Sequence, residues 1–204
     1  MRAVLRNEAE ADVPCAGCVG CCVSGYVIPL RPWDRVALER VPDRHLQLRP
    51  GISARILPRP DGTCPMQECG RCTIYADRPQ TCRDYDCRVY AAAGLEPDGD
   101  RPVILERVRE WRFEFADEAA RARAAAVRRA AAFIRAHAER FPAAFQPRSA
   151  AEISVLAVKV FALFAGEDAA LEGDAALEER IAGIVEAVRK FDAGLQQRPG
   201  STGR

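Results

Sequence analysis

Cysteine is the residue type whose number and spacing could do chemistry in this 204-residue sequence. All nine cysteines fall between positions 15 and 87, and none follows. They form two blocks, which read CAGCVGCC over 15–22 and CPMQECGRCTIYADRPQTCRDYDC over 64–87. Two-residue gaps let successive thiolates turn onto one metal, and the small glycines between them let the backbone wrap closely. The pattern therefore predicts a metal ion or metal cluster held by thiolates.

Disulfides and a thiol redox pair are the alternatives to metal ligation. The N-terminal stretch MRAVLRNEAEADVP lacks the apolar segment of a secretory signal, so we expect a cytoplasmic protein. Cytosolic thiols are kept reduced, and an odd number of cysteines cannot pair completely. Both points favour metal ligands over disulfides. A redox switch without metal would need exposed cysteine pairs of low pKa.

The sequence leaves the kind of metal open. Zinc takes four tetrahedral sulfur or nitrogen ligands, and an iron–sulfur cluster takes four thiolates. The C-x-x-C-x-x-C run matches the first three ligands of a bacterial ferredoxin, and Cys64, Cys69 and Cys72 have the plant-type spacing. Neither match lies in a ferredoxin-like sequence. We therefore expect either an iron–sulfur cluster, with 4Fe–4S the preferred form, or zinc.

The stretch CTIYADRPQTCR over 72–83, together with the N-terminal C-x-x-C-x-x-C-C, resembles the YkgJ-type cysteine-cluster family, whose domain is described as zinc- or iron-chelating. The resemblance covers about residues 13–90. It implies eight metal ligands: Cys15, Cys18, Cys21, Cys22, Cys64, Cys72, Cys82 and Cys87. Cys69 falls where the family varies, which implies that it is a bystander. A related region occurs in flagellin lysine N-methylases, so the resemblance also implies an alternative function, a cluster-dependent enzyme of methyltransferase-like or redox type.

Several residues near the ligands are predicted to support the site. Arg78 and Arg83 lie within the family motif and are expected to offset thiolate charge and donate hydrogen bonds to sulfur. Tyr75 is expected to pack against the site or to bond a thiolate. Adjacent side chains point apart in an extended chain, so of Cys21 and Cys22 one is expected to ligate while the other faces the core or a second site.

The elements that must position these residues divide the chain in two. After about residue 100 the composition turns to Ala, Arg, Glu and Leu. We expect a cysteine-cluster domain over 1–100, a helical region packed on it over 101–195, and a disordered tail over 196–204. The predicted fold class is mainly α: a loop-rich metal-binding N-terminal half with minor β, followed by a three-helix C-terminal half.

Local patterns predict individual elements within these halves. The predicted strands lie near 27–30, near 52–57 and, from the alternation of Trp111, Phe113 and Phe115, over 111–115. The predicted helices run from Pro32 to Arg40, from Pro79 onward, from a cap at Asp117 to about Phe141, from a cap at Ser149 to 165, and over 175–195.

Charge and motif content narrow the classes of function. The formal net charge is +1, which gives no global attraction to nucleic acid or to an anionic membrane. No run of eighteen apolar residues exists, and no Walker, Rossmann or nucleophile-elbow pattern occurs. The expected partners are thus a metal ion or cluster and a protein bound through the helical half, with no membrane and no nucleic acid.

Overall fold

Short elements in the cysteine-bearing half precede longer helices in the rest of the chain. The computed structural model describes residues 1–5, 13, 17–49, 52–99, 101–166 and 173–196, so Cys15 and residues 197–204 of the predicted tail lie outside the described residues. The helices are α1 (Arg2–Leu5), α2 (Arg35–Arg40), α3 (Gln80–Asp84), α4 (Arg88–Ala93), α5 (Pro102–Glu110), α6 (Glu118–Ala136), α7 (Ala150–Val160) and α8 (Asp174–Gln196). The strands are β1 (Ile28–Pro29), β2 (Leu46–Arg49), β3 (Ile52–Ile56), β4 (Gln67–Glu68) and β5 (Arg71–Cys72).

The strands form two small antiparallel sheets. In the first, β3 lies between β1 and β2, and Ile56 is opposite both Ile28 and Leu46. The second is the β4–β5 hairpin. A small core of five buried residues lies in this part of the chain: Leu30, Ala37, Val41, Ile56 and Ile74. The sheet and α2 therefore have an apolar core of their own between the two cysteine blocks.

The larger core belongs to the helices. Helix α6 packs against α7 and α4, and α7 packs against α8. Ala126, Ala130 and Ile134 are fully buried on one face of α6, at the spacing of four that places side chains on the same face of a helix. This core begins at Cys87, since α4 and α5 contribute to it as well. Within the described helices, none is both long enough and apolar enough to cross a membrane.

The mainly α fold class is confirmed, with a loop-rich N-terminal half and a helical C-terminal half. The strands near 27–30 and 52–57, the helices after Pro32 and Pro79, and the caps at Asp117 and Ser149 are also confirmed. The division into domains at residue 100 stays a prediction.

The predicted strand over 111–115 is wrong. Residues 111–115 are extended but pair with no strand among the described residues. They follow α5, a helix that the sequence patterns did not predict. The alternation arises because Trp111 and Phe113 pack on the helical core while Arg112 and Glu114 face solvent. A period of two marks any half-buried extended segment, whether or not a partner strand exists. Helix α6 also ends earlier than predicted, at Ala136.

Replacing Asp117 with Ala should destabilise the helical half. The Asp117 carboxylate accepts the Ala120 N–H at 2.6 Å and so satisfies a free donor at the start of α6. Loss of this cap should lower the free energy of unfolding by about 1 kcal/mol in chemical denaturation. Asp117→Asn keeps an oxygen acceptor and is the matched control. An equal loss in both variants would contradict the capping role.

Candidate metal centre

Thiols from both cysteine blocks gather at one place in the structure. We call them the five-thiol group: Cys21, Cys22, Cys64, Cys72 and Cys82. Three segments supply them, a 3-10 turn over Gly20–Val23, the turn that begins at Cys64, and the stretch from β5 to α3. Their thiols interact electrostatically with one another. The structure thus brings together five of the eight predicted ligands.

A backbone contact joins the two blocks. The Cys64 N–H donates to the Cys22 carbonyl at 2.6 Å, and the Gly25 N–H donates to the Gly62 carbonyl at 3.0 Å. The chain after Cys64 turns back at once, because the Gln67 N–H donates to the Cys64 carbonyl at 3.0 Å. These bonds fix Cys64 beside the first block.

Arg59 holds the same turn from outside. Its guanidinium donates to the carbonyls of Pro65, at 2.8 Å, and Gln67, at 3.1 Å. Burial raises the pKa of the Cys64 thiol, and the charge of Arg59 acts in the opposite direction. Arg59 therefore orients the turn and favours the thiolate, a role that no sequence pattern identified.

The hairpin that presents Cys72 explains the position of Cys69. Cys69 (φ 46°) and Gly70 (φ 73°) occupy the two central positions between β4 and β5, and both have positive φ, as a type I′ turn requires. This turn places Cys69 at an exposed tip. Cys72 is partly buried against the small core. The expectation that Cys69 is a bystander stays a prediction, and its exposed turn position supports it.

Cys82 is positioned by the anchoring of α3. One carboxylate oxygen of Asp34 accepts the Gln80 N–H at 2.9 Å, at the start of α3, while the other accepts the Arg31 N–H at 2.7 Å. The Thr81 hydroxyl donates to the Pro29 carbonyl at 2.6 Å. Helix α3 is thereby fixed to β1 and to the start of α2.

The electrostatics of the group oppose the accumulation of thiolates. A hydrogen bond with the Cys22 thiol lowers the pKa of Cys21 to about 7, and the same bond raises the pKa of Cys22. Burial raises the pKa of Cys64, and it raises the pKa of Cys82 to about 12, with neighbouring thiolates adding to both shifts. The Cys21–Cys22 pair therefore gives up one proton readily and keeps the other. Further ionisation requires a cation to offset the repulsion.

The donor set fits a thiophilic metal, because every member is a sulfur atom. Among the described residues, no three His, Cys, Asp or Glu side chains already converge as they would around a metal ion. The five thiols are neighbours but do not form a finished coordination shell. For these thiols to hold one metal ion, they would have to move closer together.

The three predicted supporting residues have different surroundings. The charge of Arg78 acts on Cys21 and Cys82, favouring their thiolates. Arg78 also lies 4.0 Å over the half-exposed ring of Tyr75 and donates to the Tyr75 carbonyl. Arg83 donates to the carbonyls of Ala76 and Arg78, so it holds the turn that carries Arg78. The structure thus brings Arg78 to the thiols and places Tyr75 and Arg83 around Arg78.

Cys18 and Cys87 lie toward the helical half. Cys87 is buried at the edge of the large core, and the Trp111 indole N–H donates to its sulfur at 3.3 Å. Burial raises the pKa of Cys87, and the Trp111 hydrogen bond acts against that rise. Cys18 interacts electrostatically with both Cys87 and Arg107. Sequence reasoning missed Trp111 and Arg107, because it assigned the former to a strand and no motif includes the latter.

A buried ion pair precedes Cys87. The Asp86 carboxylate is fully buried and accepts two hydrogen bonds from the Arg88 guanidinium, at 2.7 and 2.8 Å. Arg88 also lies 5.9 Å from the centre of the Trp111 ring. Arg88 is thus mostly buried in an ion pair rather than solvated, and the pair fixes the backbone on both sides of Cys87.

The cysteine-bearing segment matches the model of a known protein family. Residues 14–103 match the model of the CxxCxxCC family, which is described as "Putative zinc- or iron-chelating domain". The match confirms the resemblance seen in the cysteine blocks and supports metal binding by this segment. No curated protein and no solved structure matches the chain.

Replacing Arg88 with Met should destabilise the protein strongly. The change leaves the Asp86 carboxylate buried without its ion-pair partner, which typically costs about 3–5 kcal/mol. Chemical denaturation under reducing conditions measures the loss. Arg71→Met, beside Cys72 but exposed, is the matched control and should change stability by less than about 0.5 kcal/mol. Equal stabilities of the two variants would show that the Asp86–Arg88 pair is dispensable.

Proposed function

We propose, from the presence of a CxxCxxCC domain at residues 14–103, that this protein binds zinc or an iron–sulfur cluster through the five-thiol group. One observation carries the proposal: thiols that are distant in sequence meet where the Cys64 N–H binds the Cys22 carbonyl. Disulfides and simple core cysteines do not require five thiols from both blocks in one place. A thiolate-bound metal takes four ligands, and the convergence of thiols from both blocks supplies them.

The charges around the group suit such a metal. Four thiolates on one divalent zinc carry a net charge of −2, and Arg59 and Arg78 both favour thiolates at this place. The group has one thiol more than four ligands require. The hydrogen-bonded Cys21–Cys22 pair, which keeps one proton, accounts for the extra thiol. When bound, the metal supplies the positive charge that lets the buried thiols ionise together.

The finer assignments are part of the proposal. Cys15 is proposed as a ligand on the family motif alone. From the sequence, we propose that the metal is either an iron–sulfur cluster or zinc. A cytoplasmic location and a protein partner for the helical half are also proposals from the sequence. A cluster-dependent enzyme remains the alternative function, and it rests on the analogy with the flagellin lysine N-methylases.

Anaerobic purification with metal analysis tests the proposal directly. We expect at least one equivalent of zinc in a colourless protein, or iron with acid-labile sulfide in a brown one. Iron with sulfide would exclude zinc as the main metal, and zinc without sulfide would exclude the cluster. A folded, anaerobically purified protein that contains neither metal and takes up neither would overturn the proposal.

Single substitutions test the ligand set. Cys64→Ser and Cys82→Ser should each lose most of the bound metal, because each removes a sulfur from the five-thiol group. Cys69→Asn is the matched control, since Asn tolerates the positive φ of the hairpin turn and Cys69 is exposed. Metal content per folded chain is the measurement. Loss of metal from Cys69→Asn, or retention in both serine variants, would contradict the assignment.

A further inference from the structure

A cavity of about 600 Å³ lies in the helical half of the chain, and none of the described cysteines lines it. We call it the Phe–Arg cavity, after the three phenylalanines, Phe113, Phe115 and Phe161, and the four arginines in its lining. Binding sites for small ligands commonly measure about 300–1,000 Å³. The Phe–Arg cavity is therefore large enough to hold a small molecule.

Small side chains on one face of α6 leave this space open. Ala120 and Ala124 lie one turn apart on α6, and both line the cavity. The three phenylalanines supply apolar walls: Phe113 and Phe115 come from the extended segment after α5, and Phe161 follows α7 directly. Because removing apolar surface from water is favourable, these walls favour a ligand with an apolar body.

The charged side chains in the lining all have the same sign. They are Arg2, Arg121, Arg123 and Arg128, and the described lining contains no Asp or Glu. Arg121 binds Glu118 at 3.3 Å in an exposed ion pair, which water weakens. Arg123 and Arg128 are exposed and form no ion pair within the part of the chain that the structure describes. Positive charge at the mouth of an apolar cavity attracts an anion.

Arg128 is the arginine best placed to meet such an anion. It lies one turn after Ala124 on α6, and both residues line the cavity. A helical side chain covers the turn that precedes its own Cα atom, so the Arg128 side chain extends over the open space left by Ala124.

We propose that the Phe–Arg cavity binds an alkyl carboxylate, with the alkyl chain against the phenylalanines and the carboxylate at Arg128. This binding site is additional to the proposed metal centre and does not depend on it. The guanidinium group donates paired N–H groups to a carboxylate, and the apolar walls accommodate the chain. A cationic amphiphile would be repelled by the arginines, and a neutral one would gain nothing from their charge.

Isothermal titration calorimetry with decanoate tests the proposal on the full-length protein, purified anaerobically under reducing conditions. Decanoate is added below the concentration at which it forms micelles, and we expect saturable binding of one molecule per chain. Decan-1-ol and decyltrimethylammonium carry the same alkyl chain with an uncharged and a cationic head. Both should bind at least about 10-fold more weakly, because neither offers an anionic acceptor to arginine.

Substitutions on α6 locate the bound molecule. Ala124→Phe fills the cavity and should abolish decanoate binding, whereas Ala122→Phe, at an exposed position outside the lining, is the matched control and should leave it unchanged. Arg128→Gln should weaken decanoate binding by about 10-fold and leave the affinity for decan-1-ol unaltered. Its matched control is Arg135→Gln, an exposed arginine of the same helix that does not line the cavity. Far-UV circular dichroism confirms that each variant is folded.

Four results would overturn the inference. They are no saturable binding of decanoate, equal binding of decanoate and decan-1-ol, binding that survives in folded Ala124→Phe protein, and binding to vesicles of anionic phospholipid without binding to monomeric decanoate. The last result would make this face a membrane-binding surface. Metal content enters none of these measurements, so the proposed metal-binding function stands or fails separately.

Discussion

Beside the Gly25–Gly62 bond, the two distant cysteine blocks meet at the main-chain hydrogen bond from the Cys64 N–H to the Cys22 carbonyl. About forty residues separate its ends, and closing a loop of that length costs conformational entropy. The intervening chain offsets this cost by folding on its own: α2 and the three-stranded sheet share a small apolar core. The three-stranded sheet is too small to form the core of a domain. Its role is to return the chain so that Cys64 lies beside Cys22.

Charge imposes the second constraint on the site. Sulfur atoms that are close enough to share a metal are also close enough to repel one another as thiolates. Burial raises the pKa values of Cys64 and Cys82, and the surrounding thiolates add to the effect, so both thiols favour the protonated form. Arg59 and Arg78 moderate the repulsion from the edge, and both are themselves held by backbone carbonyls. The same physics links protons to metal binding: acid should weaken it.

The sequence predicted the features that depend on local chemistry. Neighbours a few positions apart were enough to predict the cysteine blocks, the helix starts at Asp117 and Ser149, and the helices after Pro32 and Pro79.

The features that the sequence could not predict depend on contacts between distant residues. The indole of Trp111 reaches Cys87 across 24 positions, and nothing in the W-R-F-E-F alternation distinguishes an indole that binds sulfur from one in a strand. Likewise, the sequence does not show that the Asp86 carboxylate is fully buried and that Arg88 pairs with it. The placement of five thiols in one group, with Cys18 and Cys87 toward the helical half, also depends on contacts between distant residues.

The tight fit around Gly20 limits how the cysteine segment can be engineered. The family match ends at residue 103, within the first turn of α5, yet Ile104 fills the space beside Gly20, and Trp111 covers Cys87. A fragment cut at residue 103 would remove one wall of the Cys18–Cys87 pair and expose part of the larger core. The cysteine segment therefore cannot be moved by itself into another protein. A transplant would have to carry α5 through Trp111, with a glycine kept at position 20 to receive it.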